Sequence, residues 1–290
     1  MIDSHCHLNF DSLNRDFNSI IKRAKENNIT AILSINTNPD EFESHYQLIK
    51  KHQSLFISYG LHPANVNSFN IPSINSLKFY CEYDQVIGIG ETGLDFYRST
   101  EHKSEQYKSF ENHIECSYET NLPLIIHQRN SEKEIIDVLN NYQKSKPLKV
   151  VFHCFTGSEK LRSFCLDNEF YISLSGIITF KNANDLREVV SDFPLQQILI
   201  ETDSPFLAPE PFRGKMNEPS YVKYISEYLS DFYNISQKKL NSVAYGNEKF
   251  VIVGDLGSIY WSEDGIDWKS KGDIPNHAYK IRDYSRHGGR

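Results

Sequence analysis

Eight short apolar runs recur between the first residue and residue 201 of this sequence. They are rich in isoleucine, valine, leucine and phenylalanine, often on both faces, which is typical of strands buried in a parallel sheet. Longer segments of mixed polarity separate them, so the connections are long enough to hold a helix each. The runs span residues 1–8, 29–35, 55–61, 86–90, 122–127, 150–155, 171–175 and 198–201.

The segments between the runs carry helical patterns. Residues 101–119 repeat apolar side chains at helical spacing, and residues 131–142 begin with the capping pair Ser131 and Glu134. Strands that alternate with helices eight times predict an α/β fold, the (β/α)8 or TIM-like barrel. We assign residues 1–240 to this barrel.

Residues 241–290 change character and form a short β-rich extension. Short β-prone runs alternate there with glycine-containing turns, which predicts a small C-terminal antiparallel β appendage with a partly disordered end. Residues 262–268, Ser-Glu-Asp-Gly-Ile-Asp-Trp, are similar to a single blade of an Asp-box β-propeller. Because one blade leaves free strand edges, we expect this β tail to contact the barrel or a protein partner.

Composition narrows the class of protein. The net charge of −7 and a pI of about 5.9 argue against a protein that coats nucleic acid by bulk charge. They leave room for an enzyme that contacts a few phosphates through metals and local arginines. Five cysteines, none in a Cys-x-x-Cys motif, suit no simple disulfide framework, and no apolar run approaches a membrane span. We therefore expect a soluble cytoplasmic protein with no leader and no membrane partner.

Residues that can ligate metal lie at the ends of the predicted strands. His5 and His7 are two positions apart in the first strand, so strand alternation places both imidazoles on one face. Alone, this pair could equally be two buried histidines satisfied by hydrogen bonds. Later strands add imidazoles and carboxylates at the edge where barrel enzymes build active sites. Six residues make a mixed nitrogen and oxygen set large enough for two divalent ions: His5, His7, Glu91, His127, His153 and Asp203.

Five motifs in order give the chain a family resemblance. They are Asp-Ser-His-Cys-His-Leu at 3–8, Gly-Ile-Gly-Glu-Thr-Gly-Leu-Asp-Phe-Tyr-Arg at 88–98, Leu-Pro-Leu-Ile-Ile-His-Gln-Arg at 122–129, His-Cys-Phe-Thr-Gly-Ser at 153–158, and the run at 200–219. This last run begins Ile-Glu-Thr-Asp-Ser-Pro-Phe-Leu-Ala-Pro and ends Arg-Gly-Lys-Met-Asn-Glu-Pro. With these motifs the chain, up to about residue 240, resembles the TatD-type metal-dependent deoxyribonucleases.

The resemblance implies a distorted TIM barrel that holds two divalent ions, either Mg²⁺, Mn²⁺ or Zn²⁺. Glu91 would bridge the ions and Asp203 would also orient the attacking water, so both are predicted catalytic residues. Glu201 would be the extra carboxylate that family members can use to bind a third metal ion. The first ion would be held by His5, His7, Glu91 and Asp203, and the second by Glu91, His127 and His153.

The predicted substrate contacts are Arg213, Lys215, His62 and Arg129. Arg213 resembles the phosphate clamp of the family, and an arginine can hold two phosphate oxygens at once. His62 could instead only shape its loop, and Arg129 could pair with a local acid. Other residues are assigned structural roles: Asp95 to its loop rather than to a metal, and Cys6 and Cys154 to the core. Phe96, Tyr97 and Phe155 could stack on a base, but we assign them to core packing instead. The histidines at 45, 52, 102, 113, 277 and 287 are assigned to the surface.

Three functions follow as hypotheses. The leading one is a deoxyribonuclease that hydrolyses single-stranded or frayed DNA from an end by two-metal activation of water. The second is a metal-dependent amidohydrolase or lactonase acting on a small substrate. Related small-molecule hydrolases often place a modified lysine at the end of strand four, whereas Glu91 stands there in this chain. The third is a nuclease subunit of a multi-protein complex, for instance in anti-phage defence, docked through the β tail.

Overall fold

The computed structural model describes residues 1–97, 100–143 and 147–234, together with four strands between residues 243 and 270. Eight parallel strands stand in sequence order, each paired with the next. The predicted (β/α)8 barrel is confirmed. The strands are β1 (Ile2–Cys6), β2 (Ala31–Ser34), β3 (Leu55–Tyr59), β4 (Val86–Asp95), β5 (Leu124–Arg129), β6 (Val150–Phe152), β7 (Tyr171–Leu174) and β8 (Ile198–Ile200).

Backbone hydrogen bonds just beyond the last strand bring its end against β1. The His7 amide donates to the Ser204 carbonyl at 2.8 Å, and the Asp203 amide donates to the His5 carbonyl at 2.9 Å. These bonds join the first and last strands at their carboxyl ends, so the ring is nearly closed there. Residues about 200 positions apart in sequence therefore become neighbours.

Helices alternate with the strands and cover them with their apolar faces. Within the described residues, no helix is both long enough and apolar enough to cross a bilayer. The helices are α1 (Asp11–Asn14), α2 (Phe17–Glu26), α3 (Phe42–Ile49), α4 (Ile74–Cys81), α5 (Lys103–Thr120), α6 (Glu132–Gln143), α7 (Glu159–Asp167), α8 (Asn184–Val190) and α9 (Val222–Phe232).

Strand β4 is longer than the predicted run at 86–90 and continues through Glu91 to Asp95. Its second half pairs with β5 in a shifted register, with Gly93 opposite His127. A Cβ atom at Gly93 would lie 2.1 Å from the His127 carbonyl oxygen, so only glycine permits this approach. Gly93 thus lets the strand continue past the predicted run and alongside the site.

The C-terminal appendage is antiparallel, as predicted. Its strands, in sheet order, are β12 (Lys269–Ser270), β11 (Ile259–Ser262), β10 (Lys249–Val253) and β9 (Val243–Gly246). The resemblance to a propeller blade depends on residues 263–268, which lie outside the described residues, and no comparison supports it. The expected disorder at the chain end also falls outside them. The domain boundary at 240 stays a prediction.

Two histidines assigned to the surface from sequence are buried, and that assignment is wrong for both. His45 in α3 is 1% exposed and His113 in α5 is 0% exposed. The His45 Nε2 atom lies 2.7 Å from the Ser34 hydroxyl. His113 accepts the Leu61 amide at Nε2 (3.1 Å), and its Nδ1 lies 2.6 Å from the Ser109 carbonyl oxygen. Each imidazole contacts a polar atom in or just after a neighbouring strand, Ser34 for His45 and Leu61 for His113. These contacts explain how a polar residue can lie on the buried face of its helix.

Burial of His113 predicts a pH-dependent loss of stability. Burial lowers the pKa of His113 to about 4, so the folded chain keeps this imidazole neutral where the unfolded chain protonates it. Stability from this group is complete above the unfolded pKa near 6.5 and falls as pH falls towards 4. From pH 6.5 to 5 the loss should be about 1.5 kcal/mol. Urea unfolding of wild type and His113→Gln at both pH values tests this, and equal losses in the two proteins would contradict it.

Candidate metal centre

A cavity of about 560 Å³ opens at the carboxyl ends of the strands. All six predicted ligands meet there in three groups whose nitrogen and oxygen atoms lie within 4.8 Å of one another. His62, predicted as a substrate contact, joins them. The groups are His5, His7 and Asp203; His5, Glu91 and His153; and His62, Glu91 and His127.

The first group joins β1 to the residue that follows β8. The His7 Nε2 atom lies 3.2 Å from Asp203 Oδ1, and the His5 Nε2 atom lies 3.7 Å from the same oxygen. Asp203 has a φ of 54°, a left-handed conformation that aspartate tolerates better than most residues. His5 is 1% exposed, and neither ring nitrogen has a hydrogen-bond partner. A buried nitrogen without a partner is costly, so these residues fit a metal ion.

Glu91 occupies the centre of the site at 2% exposure. Its Oε1 atom lies 2.7 Å from His153 Nε2, 2.9 Å from His127 Nδ1 and 3.4 Å from His62 Nε2. Its Oε2 atom lies 3.4 Å from His5 Nε2, on the side of the first group. The two carboxylate oxygens therefore face different sets of imidazoles, which is the arrangement that a bridging ligand requires.

The electrostatics of the centre favour an ionised Glu91. Burial raises the pKa of its carboxyl, but the charges of His153 and His62 and the hydrogen bond from His127 outweigh burial and hold the pKa well below its usual range. Burial likewise acts to lower the pKa of His153, and Glu91 raises it well above its usual value. The cluster therefore depends on neighbouring opposite charges to keep a carboxylate ionised in a buried site.

Two carboxylates lie close to metal-site histidines, each near the imidazole nitrogen that does not face Glu91. The His127 Nε2 atom lies 3.1 Å from Asp95 Oδ2, and the His153 Nδ1 atom lies 3.5 Å from Glu201 Oε1. Glu201 is fully buried and accepts a hydrogen bond from the Ser173 hydroxyl at 2.5 Å. A carboxylate behind a metal-ligating imidazole commonly fixes its orientation. Glu201 belongs to none of the three ligand groups, so its role towards a third metal stays a prediction.

The predicted substrate residues divide into two places. His62 and Arg129 line the cavity. Arg213 and Lys215 are exposed outside that lining, with the Arg213 guanidinium 4.3 Å from the ring centre of Phe180 and the Lys215 ammonium 5.6 Å from that of Phe212.

Sequence reasoning missed several residues of the cavity wall. Phe10 stacks on His7 with ring centres 4.7 Å apart, and Phe206 also lines the cavity and is 52% exposed. Cys154 was predicted to be a core residue but lines the cavity, because its positive φ of 46° breaks the strand alternation. Tyr97 was also predicted to be a core residue but is 61% exposed. Phe155 at 3% exposure confirms its predicted core role.

Comparison with known proteins identifies the family. The sequence model of the TatD related DNases matches residues 2–252. The chain belongs to this family. The match runs past the predicted domain boundary at 240 and ends inside β10, so the start of the appendage aligns with residues of the TatD family model.

Two curated relatives align with this chain over most of their own length. An uncharacterized metal-dependent hydrolase of Bacillus subtilis, YabD, is 33% identical over 86% of this chain and 97% of its own. The uncharacterized metal-dependent hydrolase YcfH of Escherichia coli K12 is 34% identical over 85% of this chain and 93% of its own. The crystal structure of the TatD homologue YJJV from Escherichia coli K12 shares the fold, with a TM-score of 0.75, 24% identity, and coverage of 83% and 93%.

Proposed function

We propose that this TatD family protein is a metal-dependent hydrolase that cleaves phosphodiester bonds in DNA. The observation that carries the proposal is the placement of Glu91, whose two oxygens face separate groups of buried imidazoles and carboxylates. Such a centre suits two divalent ions close together, and paired ions are used for phosphodiester hydrolysis. The family model is that of the TatD related DNases, and the names of the curated relatives support metal-dependent hydrolysis in general.

Each ion has a proposed set of protein ligands. Mixed imidazole and carboxylate donors suit Zn²⁺ or Mn²⁺ and also admit Mg²⁺. Two ions held by these residues would neutralise the charge of the phosphodiester, lower the pKa of a water molecule and stabilise the leaving oxygen. The first ion is assigned to His5, His7, Glu91 and Asp203, and the second to Glu91, His127 and His153.

The chain's own residues then have separate tasks. Asp203 borders the cavity with its side chain 14% exposed, so its carboxylate can take a proton from the attacking water. His7, 3.2 Å from Asp203 Oδ1, orients that carboxylate. We assign Arg129, at the cavity wall, to contact with a phosphate oxygen, and the exposed Arg213 and Lys215 to contacts with phosphates farther along a strand.

The size of the cavity favours single-stranded or frayed DNA. A volume of about 560 Å³ lies in the range of pockets that enclose a small ligand, which matches a nucleotide unit rather than a duplex. A strand end can therefore reach the metal ligands more readily than an internal bond of a duplex. This geometry supports exonucleolytic cleavage.

Digestion of end-labelled single-stranded, frayed and blunt duplex DNA tests the proposal. We expect stepwise shortening of the single-stranded and frayed substrates in Mg²⁺, Mn²⁺ or Zn²⁺, and none in chelator. Small amide and lactone substrates are assayed in parallel. Their hydrolysis by a protein that leaves every DNA substrate intact would contradict the nuclease and favour the small-substrate hydrolase. A protein partner on the β tail remains a prediction.

Glu201 offers a test of the metal site that does not depend on activity. Glu201→Gln keeps the size of the side chain but removes the charge behind His153, which lies 3.5 Å away. Loss of such an outer carboxylate typically weakens metal binding by about 10- to 100-fold. Calorimetric titration of metal-free protein should show this loss of affinity at one of the two metal sites. Unchanged affinity at both sites would contradict the orienting role.

A further inference from the structure

A second groove adjoins the metal-site cavity, and its lining includes none of the candidate metal ligands. Its volume is about 630 Å³. Gln128, Arg129 and Thr156 line both spaces, so the groove lies directly beside the cavity. A polymer held at the metal ligands would therefore extend into it, whereas a small substrate would end at the cavity.

On one wall of the groove, two flat side chains stack on each other. The Arg129 guanidinium lies over the Tyr97 ring, 3.8 Å from the ring centre. Tyr97 is nevertheless 61% exposed, so most of this large side chain faces solvent. Its backbone amide donates to Asp95 Oδ1 at 2.9 Å, and Asp95 Oδ2 lies 3.1 Å from the candidate ligand His127. The same carboxylate thus positions the aromatic residue and a metal-site imidazole.

The rest of the groove disfavours an anion. Glu132 accepts hydrogen bonds from the Ser158 amide at 3.0 Å and the Ser158 hydroxyl at 2.5 Å. Its carboxylate therefore already binds the donors at the start of α7 that an anion could use. Asp185 adds a second exposed carboxylate, and Leu186 and Val189 supply apolar surface. A phosphate would be repelled here, whereas a neutral heterocyclic base can stack and present its amino groups to the acids.

We infer that Tyr97 and Arg129 form a base-stacking platform for the nucleotide next to the scissile phosphate of single-stranded DNA. The inference rests on the proposed function and adds to it a subsite beyond the metal centre. Stacking on aromatic side chains is tolerant of sequence because every base has a flat face. The platform therefore serves a nuclease without sequence preference.

The test pairs one protein change with one substrate change. Three otherwise identical single-stranded oligonucleotides are used: one intact, one abasic at the terminal nucleotide, and one abasic at the next nucleotide. Wild type should lose about 5- to 100-fold in kcat/KM on one abasic substrate, since stacking of one base contributes that much. Tyr97→Ala should cleave that substrate and the intact one equally. Tyr97→Phe keeps the ring and should respond to the abasic site as wild type does.

Phe69→Ala is the matched control, because Phe69 is 98% exposed and lines neither space. It removes an exposed ring and should leave the wild-type response intact. A Tyr97→Ala protein that still discriminates against the abasic substrate as wild type does would overturn the platform while the nuclease stands. A wild type that cleaves none of the three oligonucleotides would overturn the nuclease, and the platform with it.

Discussion

Replacing Glu91 with glutamine is expected to abolish hydrolysis and reduce metal content to one ion or fewer. Glutamine keeps the size of the side chain, but it offers one neutral oxygen where the carboxylate turns one oxygen towards His153 and the other towards His5. Each ion contributes several kcal/mol to the transition state, so loss of one corresponds to roughly 10³-fold in rate. Elemental analysis after metal reconstitution and turnover of labelled DNA measure the two effects.

Glu188→Gln is the control, because Glu188 is an exposed glutamate outside the ligand groups. It should bind metal and cleave DNA as wild type does. Thermal unfolding of both variants without metal shows whether the fold is kept. A folded Glu91→Gln protein with two bound ions and normal turnover would exclude the bridging role.

Replacing Asp203 with asparagine is expected to lower kcat by about 10²- to 10⁴-fold, the usual contribution of a general base. Burial raises the pKa of Asp203, but the hydrogen bond with His7 and the nearby imidazoles outweigh it, so the pKa lies below its usual range. The carboxylate is therefore ionised at neutral pH and ready to accept a proton. Asparagine retains an oxygen but cannot do so.

Steady-state kinetics at saturating metal separate this effect from weaker ion binding. The fall should be in kcat rather than in KM, and Asp167→Asn, an exposed change at the end of α7, should have no effect. A normal kcat in Asp203→Asn once metal is saturating would assign Asp203 to metal binding alone.

Much of the fold could be predicted because the barrel depends on a repeated pattern. Eight apolar runs with helical segments between them suit a closed parallel sheet, and each element keeps its period whatever its neighbours are. The limits of that pattern appear at β4, which continues beyond the apolar run at 86–90 to Asp95. Gly93 continues the strand because the His127 backbone approaches it, and such an approach depends on a neighbour about 34 residues away.

The candidate ligands were likewise predictable as a set but not as an arrangement. Histidines and carboxylates at strand ends must converge, since parallel strands of a barrel end at one face. Side-chain packing decides which imidazoles each oxygen of Glu91 faces, and whether His62 joins Glu91 and His127. The same holds for Tyr97, which is exposed, and His113, which is buried.

By itself, the amino-acid sequence determined the barrel, the family and the set of candidate metal ligands. These follow from local periodicity and from motifs that stand in order along the chain. The tertiary structure decided which atoms face each other: Glu91 between two groups, Glu201 behind His153, and Tyr97 beside a groove that continues from the site. The physical reason is that these contacts join residues from different strands and loops, so their geometry exists only after the ring of strands has formed.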